Sequence, residues 1–199
     1  MSNIFKKILF LSSLFIFTQN LVATEQIEVK NKLLNKMDKI ITIVQDKNLS
    51  TSKRNNKIID LLTPTFDFEL MAKLSLGKKR WKELNTEDKR TFTELYVKRM
   101  ETSYSSKLDN YNNETVKVRE IQQPKKNRIH LITDLVNDNK KLEIIYKYYK
   151  PKKQKKDKDD WLIYDVEILG VSILKTDKAQ FKEFLQTKSI YDLMEVIYK

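Results

Sequence analysis

Residues 66–81 read FDFELMAKLSLGKKRW, a stretch that concentrates apolar side chains in a chain that is otherwise polar and basic. Asp67 is placed to cap a helix and Gly77 to end it. The apolar positions between them are Phe68, Leu70, Met71, Ala72, Leu74 and Leu76. Three cations and Trp81 follow the glycine. So much apolar surface in one short helix raises the question of whether it serves only the core of the protein itself.

The composition narrows the chemistry that the 199 residues can support. Lys and Arg number 39 against 27 Asp and Glu, and the net charge of +12 favours an acidic partner: nucleic acid, an anionic membrane surface or an acidic protein. Two glycines are too few for a Gly-rich phosphate loop, and the lack of cysteine excludes thiol chemistry, disulfides and Cys-ligated zinc. Because His130 is the single histidine, we expect no metal site and no multi-His mechanism. We also expect no cofactor.

The first 23 residues have the three-part form of a secretion signal. Lys6 and Lys7 form the positive start, residues 8–17 the apolar segment, and Ala23 is a small residue before the cleavage point. The apolar segment is short for a membrane span, and no cysteine follows it to allow lipoprotein processing. We therefore predict an exported protein with a single mature domain, residues 24–199, although an uncleaved amphipathic anchor is the alternative. Export argues against nucleic acid as the partner.

Apolar residues at three- and four-residue spacings predict helices on both sides of the opening stretch. Two precede it, one with Leu33, Leu34, Met37, Ile40, Ile41 and Val44 on one face and a shorter one with Ile58, Ile59 and Leu62. A helix of about five or six turns follows, with the stripe Phe92, Leu95, Tyr96, Met100, Tyr104, Leu108 and Tyr111. Helical segments around 181–185 and 190–197 close the chain.

After residue 112 the pattern changes to alternation, rich in Val, Ile, Tyr and Thr, which predicts four strands. The segments are 115–121, 128–136, 141–149 and 161–169, and the short polar turns between them favour an antiparallel meander. Helices, then a four-stranded sheet, then helices is an α+β arrangement. A curved sheet over its helices would form a half-open cone with an apolar cavity.

Several short motifs follow one another in a definite order along residues 33–197. They are Phe66-Asp67-Phe68, Met71-Ala72, Leu76-Gly77, Trp81, Phe92, Tyr104, Trp161, Tyr164-Asp165-Val166 and Gly170-Val171-Ser172. In order and approximate spacing the chain resembles the MlaC family of periplasmic phospholipid-binding proteins, also called toluene-tolerance or ABC-transporter auxiliary proteins. It departs from the family in the long cationic hairpin of 150–160 and in Tyr148-Tyr149.

The resemblance implies a carrier and not an enzyme, with no catalytic residue. A deep apolar cavity would hold the acyl chains of a phospholipid, the cargo, with the head group near the mouth. The resemblance also implies a place in the periplasm, where the protein would carry lipid between an outer-membrane lipoprotein complex and an inner-membrane ABC transporter with an MCE-domain partner. Such transport would maintain the lipid asymmetry of the outer membrane. We expect a monomer.

Periodicity selects candidate lining residues for the cavity that the resemblance implies. Pairs of apolar residues share a face of the opening helix, of the long helix and of two strands, and a valine at the position of Val171 points into the cavity in the family. The candidates are Phe68, Met71, Met100, Tyr104, Ile144, Tyr146, Val166, Ile168 and Val171. Ordinary core packing is the alternative for each of them taken singly.

Two cationic segments, residues 78–80 and 150–158, are candidates to meet anionic head groups or acidic partner surfaces, with a solvated turn as the alternative. His130 alternates with Ile129 and Leu131, so we expect it at the surface or the rim. Asp165 and Glu167 share a strand face, and Asp165 is expected to be structural, accepting hydrogen bonds beside the sheet edge.

Two other functions stay open at this point. A small isomerase or dehydratase in a similar cone-shaped fold would need a buried acid or base, for which His130, Asp165 and Glu167 are the candidates. An exported binder of an anionic polymer would interleave lysines with exposed aromatic rings. The candidates for such a surface are Tyr146, Tyr148, Tyr149 and the run 150–158.

Overall fold

The computed structural model describes residues 3–109, 114–137 and 140–197, and the side chains of residues 24–103, 114–137 and 141–197. Helices precede and follow an antiparallel sheet, which confirms the predicted α+β class. The elements are α1 Asn3–Gln45, α2 Thr51–Leu62, α3 Phe68–Leu76, α4 Lys78–Glu83, α5 Thr86–Asp109, β1 Thr115–Lys125, β2 Arg128–Asn137, β3 Lys140–Tyr149, β4 Leu162–Ile168, β5 Val171–Ser172, α6 Ile173–Phe184 and α7 Ile190–Val196.

The side chains of the predicted secretion signal, residues 1–23, lie outside the described part of the structure. The backbone of α1 passes through the expected cleavage point after Ala23. Among the described residues, no helix combines the length and the apolar character that crossing a bilayer requires.

Local capping explains where the helices around the opening stretch begin and end. The Asp67 carboxylate accepts a hydrogen bond from the backbone N–H of Leu70 at 3.1 Å and so starts α3. Gly77, at φ +90°, separates α3 from α4 in a conformation that L side chains rarely adopt. Both roles agree with the sequence prediction. Upstream, the Ser50 side chain accepts from the N–H of Lys53 and starts α2.

The five strands form one antiparallel meander in the order β1-β2-β3-β4-β5. The four predicted strands are all present, and the prediction was wrong only in omitting β5. This strand has two residues, too few to show alternation in a sequence, and it pairs with β4 directly across a tight turn. Pro124 lies in the edge strand β1, where the register shifts and a missing N–H is tolerated.

Strand register divides the sheet into two chemically different faces. On the face toward the helices, Leu135 lies opposite Leu142, Ile144 opposite Ile168, and Tyr146 opposite Val166. On the outer face Lys147 lies between His130 and Asp165.

An aromatic core, which we define as Trp81, Phe92, Tyr96 and Phe181, fills the space between α4, α5 and α6. Their rings meet edge to face, with centroid distances of 6.3 Å for Trp81–Phe92, 6.0 Å for Phe92–Phe181 and 6.4 Å for Tyr96–Phe181. Phe92 and Tyr96 have no exposed surface. Large rings that meet in this geometry pack closely between the three helices.

A buried ion pair at the border of the aromatic core ties α5 to α6. Arg99 meets the Asp177 carboxylate at 2.9 Å, and the Tyr96 hydroxyl donates to the same carboxylate at 2.8 Å. Burial, together with this carboxylate, raises the pKa of Tyr96, so the hydroxyl stays protonated and remains a donor.

Candidate functional site

An apolar cavity of about 360 Å³ lies between the helix-facing side of the sheet and α1, α2, α3 and α5. Its size falls within the range of about 300–1,000 Å³ that is typical of ligand pockets. Its apolar lining consists of Leu33, Met37, Ile40, Ile41, Ile58, Ile59, Leu62, Phe66, Phe68, Met100, Val116, Leu135, Leu142, Ile144, Tyr146, Ile163, Val166, Ile168 and Ile173. This surface differs from the aromatic core because its side chains face one another across open space.

The strand wall of the cavity is built from residues that pair directly across the sheet. Ile144 lies opposite Ile168 and Tyr146 opposite Val166, so four predicted lining residues form two adjacent pairs on one face. Because side chains alternate along a strand, this register sends all four toward the helices.

The helix wall combines the faces of two amphipathic helices with a pair of phenylalanines. Met37 and Ile40 of α1 and Ile59 of α2 face the cavity from one side. Phe66 and Phe68 flank the Asp67 cap, and their rings stack at a centroid distance of 5.3 Å with an interplanar angle of 15°. The flexible thioether of Met37 contacts the Tyr146 hydroxyl at 3.9 Å and can adapt to the shape of a ligand.

Few of the described lining residues carry charge: they are Lys36, Glu101 and Glu114. Lys36 already donates to the carbonyl of Leu61 at 3.2 Å and lies 3.5 Å from Asp159. Burial raises the pKa of the Tyr146 hydroxyl to about 12, so this polar group is neutral at physiological pH. The wall therefore suits hydrocarbon, and its charged groups suit the boundary with water.

Most of the predicted lining residues meet around this cavity. Phe68, Met100, Ile144, Tyr146, Val166 and Ile168 all line it. Met71 shares α3 with Phe68 but is fully buried in the surrounding core and is not among the described lining residues. Val171 is 58% exposed and borders a smaller pocket. Tyr104 belongs to α5, but its side chain lies outside the described residues.

Sequence reasoning did not assign the α1 and α2 stripes to the cavity. Those stripes were predicted as helix faces, and a helix face that packs on a sheet has the same spacing as one that lines a cavity. Ile40, Ile41, Ile59 and Leu62 are only partly buried, and they line the same cavity as apolar side chains of the sheet. The available signal was that two successive helices each carried an apolar stripe, and neither stripe had a predicted packing partner.

A second pocket of about 260 Å³ lies next to the main cavity, between α5, α6 and the β4–β5 turn. Met100, Ile168 and Ile173 line both spaces, so these side chains form the wall between them. The remaining lining of the second pocket is more polar and includes Arg99 and Asp177.

The MlaC protein family model matches residues 34–199, which include the whole cavity except Leu33. The chain belongs to the MlaC family. Among solved structures it is similar to a phospholipid-binding protein from Ralstonia solanacearum, determined in complex with a phospholipid. The TM-score is 0.68 at 19% sequence identity, over 78% of this chain and 86% of that chain, which shows a shared fold. No curated protein matches the sequence.

The central acid of the MlaC motif Phe66-Asp67-Phe68 has a structural role. Asp67 is 2% exposed, and besides capping α3 it pairs with Lys155 at 2.8 Å and accepts a hydrogen bond from the Tyr149 hydroxyl. The carboxylate thus joins the start of α3 to the last residue of β3 and to the middle of the hairpin that connects β3 and β4. By fixing α3, it holds the two phenylalanines of the motif at the cavity wall.

The second acid of the MlaC pattern, Asp165, connects β4 to α6. It accepts hydrogen bonds from the Ser172 hydroxyl at 2.8 Å and from the N–H of Leu174 at 3.2 Å, and it pairs with Lys147 at 3.2 Å. The structural role expected for Asp165 is therefore correct. Lys147 also pairs with Glu167 at 2.6 Å, so both acids belong to the outer face of the sheet, with His130 beside them.

The cationic hairpin of 150–160 is held against the body of the protein. Lys158 donates to the carbonyls of Phe66, at 2.9 Å, and Thr63, and burial lowers its pKa. Lys155 is held by Asp67, and the exposed Lys150 pairs with Glu25. The other exposed lysines of the hairpin are Lys152, Lys153 and Lys156. Of the other cationic segment, Arg80 donates to the carbonyl of Leu185 at 3.2 Å, while Lys78 and Lys79 are exposed.

Proposed function

We propose that this protein is a carrier that encloses the acyl chains of a phospholipid in the apolar cavity. The observation that carries the proposal is the cavity itself, an open space walled by aliphatic and aromatic side chains inside a polar, basic protein. Its three charged lining residues suit a head group at the boundary with water.

The energetics favour an enclosed cavity for such a cargo. Each CH₂ group of an acyl chain gains about 0.8 kcal/mol when it leaves water, so a free lipid crosses an aqueous compartment very slowly. A predominantly apolar lining supplies that gain and imposes little preference on chain shape, since Met37 and Met100 can adjust their conformations. No cofactor enters this function, and the phospholipid is the cargo.

Membership of the MlaC family supports a phospholipid as the ligand, and so does the fold shared with a phospholipid-binding protein. We extend the proposal to the transport that the family resemblance implies. After loss of residues 1–23, the domain of 24–199 would act as a monomer in the periplasm. It would move lipid between an outer-membrane lipoprotein complex and an inner-membrane ABC transporter with an MCE-domain partner, and so maintain outer-membrane lipid asymmetry.

The two alternative functions have less support from the geometry. The candidate acid and base groups of an isomerase or dehydratase, His130, Asp165 and Glu167, lie on the sheet face opposite the cavity. A polymer-binding surface would need exposed rings between its lysines, but Tyr146 is 8% exposed and Tyr148 2%.

The direct test is to purify the protein, measure its mass under native conditions and identify the lipid after solvent extraction. Ile144→Trp should reduce the bound phospholipid strongly, because the larger ring fills the space between the strand wall and the helices. The matched control is Ile145→Trp, the same substitution one residue along β3 and on the outer face. It should leave the lipid in place.

Two outcomes would contradict the carrier function. One is a protein that carries no phospholipid and takes none from vesicles. The other is equal lipid retention in both tryptophan variants, because bound lipid would then lie outside the cavity.

A further inference from the structure

The turn between β4 and β5 exposes two apolar side chains. Leu169 is 66% exposed and Val171 58%. Leu169 and Gly170 both have positive φ, +50° and +77°, and Ile168 pairs with Val171 across them. This is the geometry of a two-residue hairpin turn whose first position favours Asn, Asp or Gly. Leucine here is unfavourable for the backbone and for hydration, which indicates a contact that the isolated protein does not make.

The turn lies beside both internal spaces. The N–H of Leu169 donates to the carbonyl of Glu143, next to Leu142 of the main cavity. Val171 lines the second pocket, which the shared side chains Met100, Ile168 and Ile173 separate from the main cavity. An acyl chain that meets the turn is therefore one layer of side chains away from the apolar interior.

A row of lysines begins one helical turn beyond the hairpin. Lys175, Lys178 and Lys182 are exposed on α6, and their spacing of three and four residues places them on one side of the helix. Over seven residues the row is about 10 Å long. Among the described residues, no carboxylate oxygen lies within 4 Å of their ammonium groups, unlike those of Lys147 and Lys155.

We propose that the β4–β5 turn and the α6 lysine row, Lys175, Lys178 and Lys182, form a docking surface for an anionic lipid bilayer. Leu169 and Val171 would enter the region between head groups and acyl chains, while the lysines meet the phosphate-rich surface. The contact would bring the second pocket and its wall to the membrane. This role rests on the proposed carrier function, but the docking itself is measurable without it.

The test is sedimentation of the full mature protein with vesicles of phosphatidylcholine alone or of equal parts phosphatidylcholine and phosphatidylglycerol. We expect binding to the anionic vesicles that weakens with salt. The variant Leu169→Asn/Val171→Thr should lose at least about tenfold in affinity. Asparagine suits the positive φ of residue 169, so the loss cannot come from a damaged turn.

Charge position is tested with two triple variants of equal net charge. Lys175→Gln/Lys178→Gln/Lys182→Gln should weaken binding about 100-fold, from roughly fivefold per lysine. Lys152→Gln/Lys153→Gln/Lys156→Gln removes three exposed lysines from the hairpin at the other end of β4 and should have a much smaller effect.

Three results would overturn the docking surface. They are no binding of the unaltered protein to anionic vesicles, full binding by the Leu169/Val171 variant, and equal losses in the two lysine triples. The first result would indicate that the exposed β4–β5 turn contacts a protein partner and not a bilayer. Native mass measurements separate this proposal from the carrier function: an unaltered protein that binds vesicles but never carries lipid contradicts the carrier alone.

Discussion

The aromatic core and the cavity are both lined by apolar side chains on α5 and its neighbours, yet one is full and the other is open. In the aromatic core Phe92 touches Trp81 and Phe181 edge to face, and it has no exposed surface. In the cavity, Ile144 and Phe68 face about 360 Å³ of space. Side chains that face an empty space make fewer van der Waals contacts than packed ones. The cavity therefore lowers the stability of the folded protein, but it leaves room for a ligand.

Helix α3 forms the border between the two regions. Its residues Phe68, Met71, Ala72, Ser75 and Leu76 are all buried, on more than one side of the helix. Phe68 faces the cavity, whereas Met71 belongs to the filled interior. The opening stretch therefore supplies apolar surface for the protein's own core and, on our proposal, for its cargo.

The largest expected effect is a loss of stability in the aromatic core. Phe92→Ala should lower the free energy of unfolding by about 3–5 kcal/mol, because the surrounding rings cannot close over the lost volume. The measurement is urea unfolding of the lipid-loaded and the lipid-free protein, and the loss should be the same in both. A loss that depended on bound lipid would mean that the aromatic core and the cavity are not separate regions.

A smaller loss is expected at the border. Asp67→Ala removes the α3 cap and the partner of Lys155 and Tyr149, which should cost about 2–3 kcal/mol and weaken lipid retention. The control is Lys155→Gln. Asp67 keeps its hydrogen bonds from the Leu70 N–H and the Tyr149 hydroxyl in this variant, and the Lys155 side chain is 36% exposed, so its replacement should cost only about 1 kcal/mol. If the two variants were equally stable, the cap and the tyrosine would contribute nothing.

In the cavity, the loss of stability caused by a substitution should depend on whether lipid is bound. Ile144→Ala should destabilise the lipid-free protein by about 1–2 kcal/mol, because part of the side chain already faces empty space. The loss should be larger in the lipid-loaded protein, where the same atoms would contact acyl chains. Denaturant titrations of the two forms measure the difference. Identical losses would contradict a lipid in the cavity.

The sequence was sufficient for most of the fold because its signals are local. The Asp67 cap, the Gly77 break and four alternating strands each depend on residues within a few positions. Strand β5 was missed because two residues cannot alternate visibly.

The sequence was less informative about the candidate site, because filled and open interiors use the same residues at the same spacing. Phe68 and Met71 are three residues apart on one helix, and only the packing of neighbouring elements separates their surroundings. Lys155 and Asp67 are 88 residues apart, and a contact over that distance leaves no local pattern in the sequence. The sequence therefore could not show that the hairpin of 150–160 is held against the body of the protein.

The smallest expected effect concerns the outer face of the sheet, away from both apolar regions. Burial lowers the pKa of His130 below 6.5, and Lys147 and Arg128 add to this, while Glu167 and Asp165 oppose it. The folded protein therefore resists a proton that the unfolded chain accepts. The contribution of His130 to stability is present above pH 6.5 and is lost as the pH falls from there toward the lowered pKa.

This pH dependence gives a test of whether the cavity is independent of the outer face of the sheet. Stability measured from about pH 7.5 to about pH 5.5 should decrease slightly, and His130→Gln should flatten the decrease, because most carboxylates titrate at lower pH. Lipid retention over the same range should not follow this profile, since His130 is separated from the cavity by the sheet. If His130→Gln changed the pH dependence of lipid retention, protonation on the outer face would be coupled to the cavity, and the sheet could not be treated as a rigid wall.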